Sequence, residues 1–206
     1  MIRAAVSRAV LVLWCAFACF SSPASVQQKS ARSALNADEY AIYSLIVRTH
    51  FAWKGITKIV IQDSAGTPGG LTAQMVDGER QFETYVRKML PKVQADTVAN
   101  FYANTKETEQ LTNGLSLNIP YFLVTNEEMK AIFGARGDGW DNFYKKYPGA
   151  QGVLFFSRVG FDRRRDQSLV YVGDLSGHLG GVGYLDLLAK KNGAWIIVKQ
   201  AMLWIS

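Results

Sequence analysis

Imidazole and thiol chemistry can draw on four residues in this 206-residue chain: His50, His178, Cys15 and Cys19. His178 lies in the glycine-rich segment GDLSGHLGGVGY over 173–184, with Asp174, Ser176 and Tyr184 close in sequence. General acid/base work by this histidine needs an orienting carboxylate and a cleft, and Asp174 is the residue that could serve. His178 with Asp174 is therefore the catalytic candidate, set against a loop histidine with no chemical duty. His50 falls at the end of the first expected helix, where an imidazole complements the helix dipole or edges the core. Freed glycine amides in 173–184 could cradle an anion, but the segment lacks the lysine and Ser/Thr of a P-loop and joins two strands. A long hairpin connection accounts for it.

The binding candidates are Arg163, Arg164 and Arg165, together with Tyr184. The arginine run could hold an anion or a phospholipid headgroup. Its flanking Asp162 and Asp166 equally suit a solvated hairpin tip whose charges discourage edge pairing. Trp140, Phe143, Tyr144 and Tyr147 recur on a short amphipathic stretch and read as core. Arg136-Gly137-Asp138 spells an adhesion tripeptide that nothing else in the sequence supports. No Gly-x-Ser-x-Gly elbow or His-Glu-x-x-His pair occurs, and two histidines supply little for a metal centre. No metal and no cofactor are expected.

The N-terminus has the parts of a secretory signal. Arg3 and Arg8 precede an unbroken apolar run from Ala9 to Phe20, followed by Ser22-Pro23-Ala24 as a small-x-small processing site. The run is shorter than the roughly 20 residues that span a bilayer. Cleavage after Ala24 is expected, giving a signal peptide over 1–24 and an exported, periplasmic or extracellular protein; acylation at Cys19 is the alternative. Both cysteines fall inside the signal, so the remaining chain can form no disulfide and must rely on its apolar core. The formal charge of +6 loses Arg3 and Arg8 and becomes +4, from 21 basic and 17 acidic residues. Nucleic acid is not an expected partner, and weak attraction to an anionic envelope surface is the most this charge supports.

The elements that position these residues follow from spacing. Residues 25–35 are small and polar and read as a flexible leader, and 36–206 as a single α+β domain. Asn36 with Glu39 forms a capping box opening a helix to about His50. ITKIVIQD over 56–63 reads as a strand ending in the Gly66, Pro68, Gly69, Gly70 loop. Helices follow over about 78–90, from near Asp96, from the Thr125/Glu128 capping box, and over GWDNFYKKY, with the short strand IPYFLVT among them. The last third holds four strand-like runs, the final two joined by Asn192-Gly193, a type I′ hairpin signal. The expected architecture is N-terminal helices packed on a C-terminal four-stranded antiparallel meander. Apolar residues fall on both faces of several strands, so one face can meet helices while the other must meet a cavity, a partner or more chain.

The C-terminal runs YPGAQGVLFFSRVGF, LVYVGD and GVGYLDLLAKKNGAWIIVKQAMLWIS resemble a group of exported bacterial proteins of unassigned function, over about the last 60 residues. Members of that group carry two cysteines four positions apart in the glycine-rich loop, where this chain has Ser176 and Gly180. The resemblance thus implies no thiol chemistry here and supplies no reaction. A looser resemblance, to nuclear-transport-factor-2-like or cystatin-like folds, implies helices in the concave side of a bent antiparallel sheet, over an apolar pocket. Fold alone does not fix function. The expectation is a non-catalytic exported domain that binds a protein partner or a small apolar ligand. Its rivals are a hydrolase or isomerase with a pocket inside a cone-like fold, and an envelope-associated structural protein.

Overall fold

Asn36 caps the first helix as its spacing requires. In the computed structural model, which describes residues 35–66 and 78–206, its side chain accepts from the N–H groups of Asp38 and Glu39, and Glu39 accepts from the Asn36 N–H. The expected signal peptide, most of the leader and the Pro68–Gly70 loop lie outside those residues. Helix α1 (Ala37–Ile46) runs into a π-helical turn (Val47–Phe51), closed by the Ala52 N–H donating to the Val47 carbonyl at 3.0 Å. Such widened turns are often found at functional sites. Glu39, Tyr43, Ile46 and His50 recur at steps of four, three and four residues, one stripe of the helical segment.

The remaining elements are β1 (Lys58–Ala65), α2 (Glu79–Met89), α3 (Ala95–Asn104), β2 (Glu109–Gln110) and β3 (Tyr121–Val124). They are followed by α4 (Asn126–Gly134), α5 (Gly139–Lys146), β4 (Ala150–Phe156), β5 (Gly160–Phe161), β6 (Gln167–Leu175), β7 (Gly181–Lys191) and β8 (Ala194–Ile205). All described residues belong to one compact unit, Arg32–Ser206.

The α+β class holds, but the sheet corrects the expected four-stranded antiparallel meander: it is mixed and has eight strands. Its principal order is β2-β1-β4-β6-β7-β8, with β3 on β1 and β5 on β6. The four C-terminal runs do pair antiparallel in turn. β1, however, joins β4 in parallel and takes β3 in parallel on its other side, Ile61 facing Leu154 and Leu123. Parallel neighbours need crossovers, and α4 with α5 supplies the one from β3 to β4. Asn192 and Gly193 both take positive φ, 50° and 81°, in the β7–β8 hairpin, as a type I′ turn requires.

Helices cover both faces, which explains why the strands are apolar on both. On the inner face, α1 and the 111–119 connection bury Ile59, Ile61, Leu154, Phe156, Val170, Val172 and Leu188. On the outer face, α2 and α3 cover Leu169, Tyr171, Leu185 and Leu187, while α4 and α5 cover Val60, Val124 and Val153. The aromatic residues of 140–147 are largely part of this last core, with Phe143 fully buried.

One ion pair fixes α1 on the inner face. Arg158, between β4 and β5, donates from Nε to Glu39 Oε1 at 2.8 Å and from Nη2 to Oε2 at 3.3 Å, and both residues are buried. Tyr43 donates to the Ser157 carbonyl at 2.9 Å one turn further on. At the helix start Asp38 accepts from Trp195 Nε1 and Lys190 Nζ, each at 2.9 Å. A buried charge that loses its partner costs more than the pair contributes. Arg158→Met is therefore expected to cost about 3–5 kcal/mol in urea unfolding. Adding Glu39→Gln, which keeps the capping-box acceptor but removes the charge, should recover most of that loss. A single-variant cost under about 1 kcal/mol would show that the pair does not hold the helix.

Candidate functional site

Alternation along β7 puts Val182, Tyr184, Asp186 and Leu188 on the inner face, since Tyr184 and Leu188 pack in its core. Asp186 is an acid amid leucines. It is fully buried, and its strand neighbours are Val170 on β6 and Gln200 on β8. His50, on the π-helical turn, brings Nε2 to 3.9 Å from Asp186 Oδ2, too long for a hydrogen bond. Gln200 approaches closely enough to lower the Asp186 pKa, yet no bond of acceptable geometry closes between them. Four buried atoms, His50 Nε2, both Asp186 oxygens and Gln200 Nε2, consequently lack hydrogen-bond partners. Burial pushes the Asp186 carboxyl up to about 7 and pushes the His50 imidazole down. Around neutral pH the cluster holds little fixed charge.

The stripe that carries Glu39 also carries His50, so the anchored helix delivers the imidazole to this point. The Arg48 guanidinium, two residues earlier and exposed, donates instead to the Ser116 carbonyl. Beyond the cluster the inner face opens. Val182 and Tyr184 are half-buried, and opposite them on β8 Ile205 and Met202 are 71% and 52% exposed. An apolar surface thus leads to polar atoms that the protein does not satisfy.

The candidates read from sequence go to different places. Asp174, on β6, shares the inner face with Tyr184, and its carboxyl is buried, accepts from Gln151 Nε2, and rises to about 6 through burial. His178 is exposed and bonds to Asp138, the N-cap of α5, rather than to Asp174. That bond, followed by the Trp140 N–H, lowers the Asp138 pKa. The structure therefore separates His178 from Asp174 and brings Asp174, Tyr184 and Asp186 onto one face.

Arg163, Arg164 and Arg165 form the β5–β6 tip. Arg165 bonds to Asn36 and Asp38 and lies over the Phe161 ring at 4.0 Å, and Arg164 pairs with Asp166 at 3.2 Å. An open cleft of about 490 Å³ beside them is lined by Asp96, Asn100, Phe161, Asp162, Arg163 and Arg165, its acids offsetting its arginines. Among the described residues no group of three or more His, Cys, Asp or Glu could hold a metal ion, and no helix is long and apolar enough to cross a membrane.

Sequence reasoning missed His50 with Asp186. The available signal was a lone acid inside the strand run YLDLL, since a carboxyl is rarely buried without a reason. No protein family, curated protein or solved structure matches the chain.

The two raised carboxyls set the pH dependence of stability. Folded Asp186 keeps its proton to about pH 7, whereas an unfolded aspartate loses it near 3.9. The folded chain thus binds more protons in that window, and stability falls as pH rises through it. Asp174 acts in the same sense up to about pH 6. His50 opposes them, because its depressed pKa removes stability as pH falls below its usual 6.5. Thermal unfolding should therefore be most resistant near pH 4, just above the range in which the unfolded aspartates take up protons, and weaken toward neutral pH, with Asp186 alone costing on the order of 4 kcal/mol by pH 8. Asp186→Asn should flatten the slope between pH 6 and 8; an unchanged slope would show that Asp186 is not its source.

Proposed function

We propose that this domain binds a small, largely apolar molecule on the inner face of its sheet, with the molecule's polar group at His50, Asp186 and Gln200. The observation that carries the reading is the set of four buried, unpartnered polar atoms at the end of an apolar surface. Each such group costs about 1–3 kcal/mol unless something satisfies it. A fold stabilised by its core alone gains nothing from retaining them, whereas a ligand that completes their hydrogen bonds recovers that cost as affinity. Tyr184, Val182, Met202 and Ile205 would contact the apolar body. The proposal includes export, as expected from Arg3, Arg8, the 9–20 apolar run and Ser22-Pro23-Ala24.

A second reading, an isomerase or hydrolase, is favoured by one feature. An acid whose pKa lies near 7 beside an imidazole is matched to proton transfer at neutral pH. It shares the site and adds turnover to binding.

Titration with the neutral fluorophore N-phenyl-1-naphthylamine tests the binding reading. Saturable fluorescence enhancement is expected, weakened at least tenfold by Met202→Glu at the open end of the face. Leu179→Glu, on the exposed glycine-rich loop, should leave it unchanged. No saturable signal, or equal affinity in Met202→Glu, would overturn the reading.

A further inference from the structure

The inner face holds two buried carboxyls, and neither has a cationic side chain from the described residues paired with it. Asp174 lies opposite Val182, and Asp186 follows four residues later on β7. Strand geometry places their backbones about 14 Å apart on the same face. Tyr184 stands between them along β7, beside Val172 on β6. Asp174 Oδ1 and both Asp186 oxygens are buried without a hydrogen-bond partner, as is the Gln151 Oε1 beside Asp174. Asp186 is approached by His50 and the Gln200 amide, and Asp174 accepts from the Gln151 amide and lies near the Tyr144 hydroxyl, all of them uncharged or weakly charged groups.

The other buried acids among the described residues are treated differently. Glu39 and Glu109 both face Arg158, at 2.8 and 3.9 Å. Asp162 accepts from the Asp166 and Gln167 N–H groups, each at 2.8 Å, and lies 3.8 Å from Arg164. The inner-face pair is thus an exception within one fold. Its unfilled atoms are mostly acceptors, so the missing partner must bring donors. A carboxylate or phosphate ligand would bring acceptors rather than donors to these oxygens. A neutral alcohol would bring donors but leave the charge that each carboxyl gains on ionising unbalanced. An alkylammonium brings three donors and a positive charge on an apolar stem.

We propose that the ligand of this face is a long aliphatic diamine or polyamine, with one ammonium at Asp186, the other at Asp174 and the chain between them along the half-buried Tyr184. The inference rests on the binding reading above and names its ligand class. Because both carboxyls reach inward from their strands, about eight chain atoms between the nitrogens bridge the gap, as in 1,8-diaminooctane and spermidine.

Calorimetric titration of the purified protein with 1,8-diaminooctane, spermidine, octylamine and 1,8-octanediol tests it. Both diamine-type ligands should bind at least tenfold more tightly than octanediol, with octylamine between. Asp174→Asn should reduce the diamines about tenfold, to the level of octylamine, and leave octylamine unchanged. Asp186→Asn should weaken all three amines at least tenfold. Should either variant fail to fold, competition on the unaltered protein decides, with 1,8-diaminooctane displacing N-phenyl-1-naphthylamine at lower concentration than octanediol. Binding of octanediol as tight as that of the amines would overturn the amine inference and leave the binding reading standing. Absence of binding by every compound, the fluorophore included, would overturn both. Amine binding that both variants leave unchanged would place it elsewhere and also overturn the inference.

Discussion

The buried pair of Glu39 and Arg158 is the constraint on which the arrangement of this molecule depends. Glu39 does two things at once: one oxygen closes the capping box that starts α1, and both receive the guanidinium of Arg158 from the β4–β5 connection. Helix start and sheet are thereby tied at a single side chain. From that point the helical stripe advances about 1.5 Å per residue, so eleven residues carry it roughly 16 Å across the inner face to His50. The position of the imidazole over Asp186 follows from where the helix is pinned.

The two charged clusters of the inner face show opposite solutions to one physical problem. Around Arg158 the charges are paired and hydrogen-bonded, and the guanidinium pKa is raised because Glu39 more than offsets the effect of burial. Around Asp186 the carboxyl is left without a partner and answers by holding its proton. The first arrangement holds the fold. The second weakens it, and the proposed ligand would offset that cost. The same reasoning extends to Asp174, which the strand register places on the same face beyond Tyr184. Among the described residues, α2 to α5 pack on the outer face and α1 on the inner one, while Met202 and Ile205 at the β8 edge of the inner face stay exposed.

Much of the fold was legible in local signals. The Asn36–Glu39 box, the strand patterns and Asn192-Gly193 each depend on residues within a few positions of one another, and the structure forms each of them. The sheet's true size was not, because the parallel pairing of β1 with β4 joins segments some ninety residues apart and leaves no local mark. The apolar pattern on both strand faces did announce that something must cover the second face, but not that it would be helices. The site was half legible: Asp174 and Tyr184 stood out beside glycines and lie on the inner face. His178 stood out for the same reason, but it bonds to Asp138 on the α5 cap. His50 and Asp186 are 136 positions apart and meet only through the anchored helix, so spacing could not pair them.

Whether Asp186 is a buried carboxyl without a partner decides the account most directly. A carbon-13 NMR titration of its side-chain carboxyl, assigned by comparison with Asp186→Asn, measures this. The predicted midpoint is near pH 7, with the His50 imidazole titrating below 6.5. A midpoint near pH 4 would mean a solvated or paired carboxylate and would contradict the site proposed here.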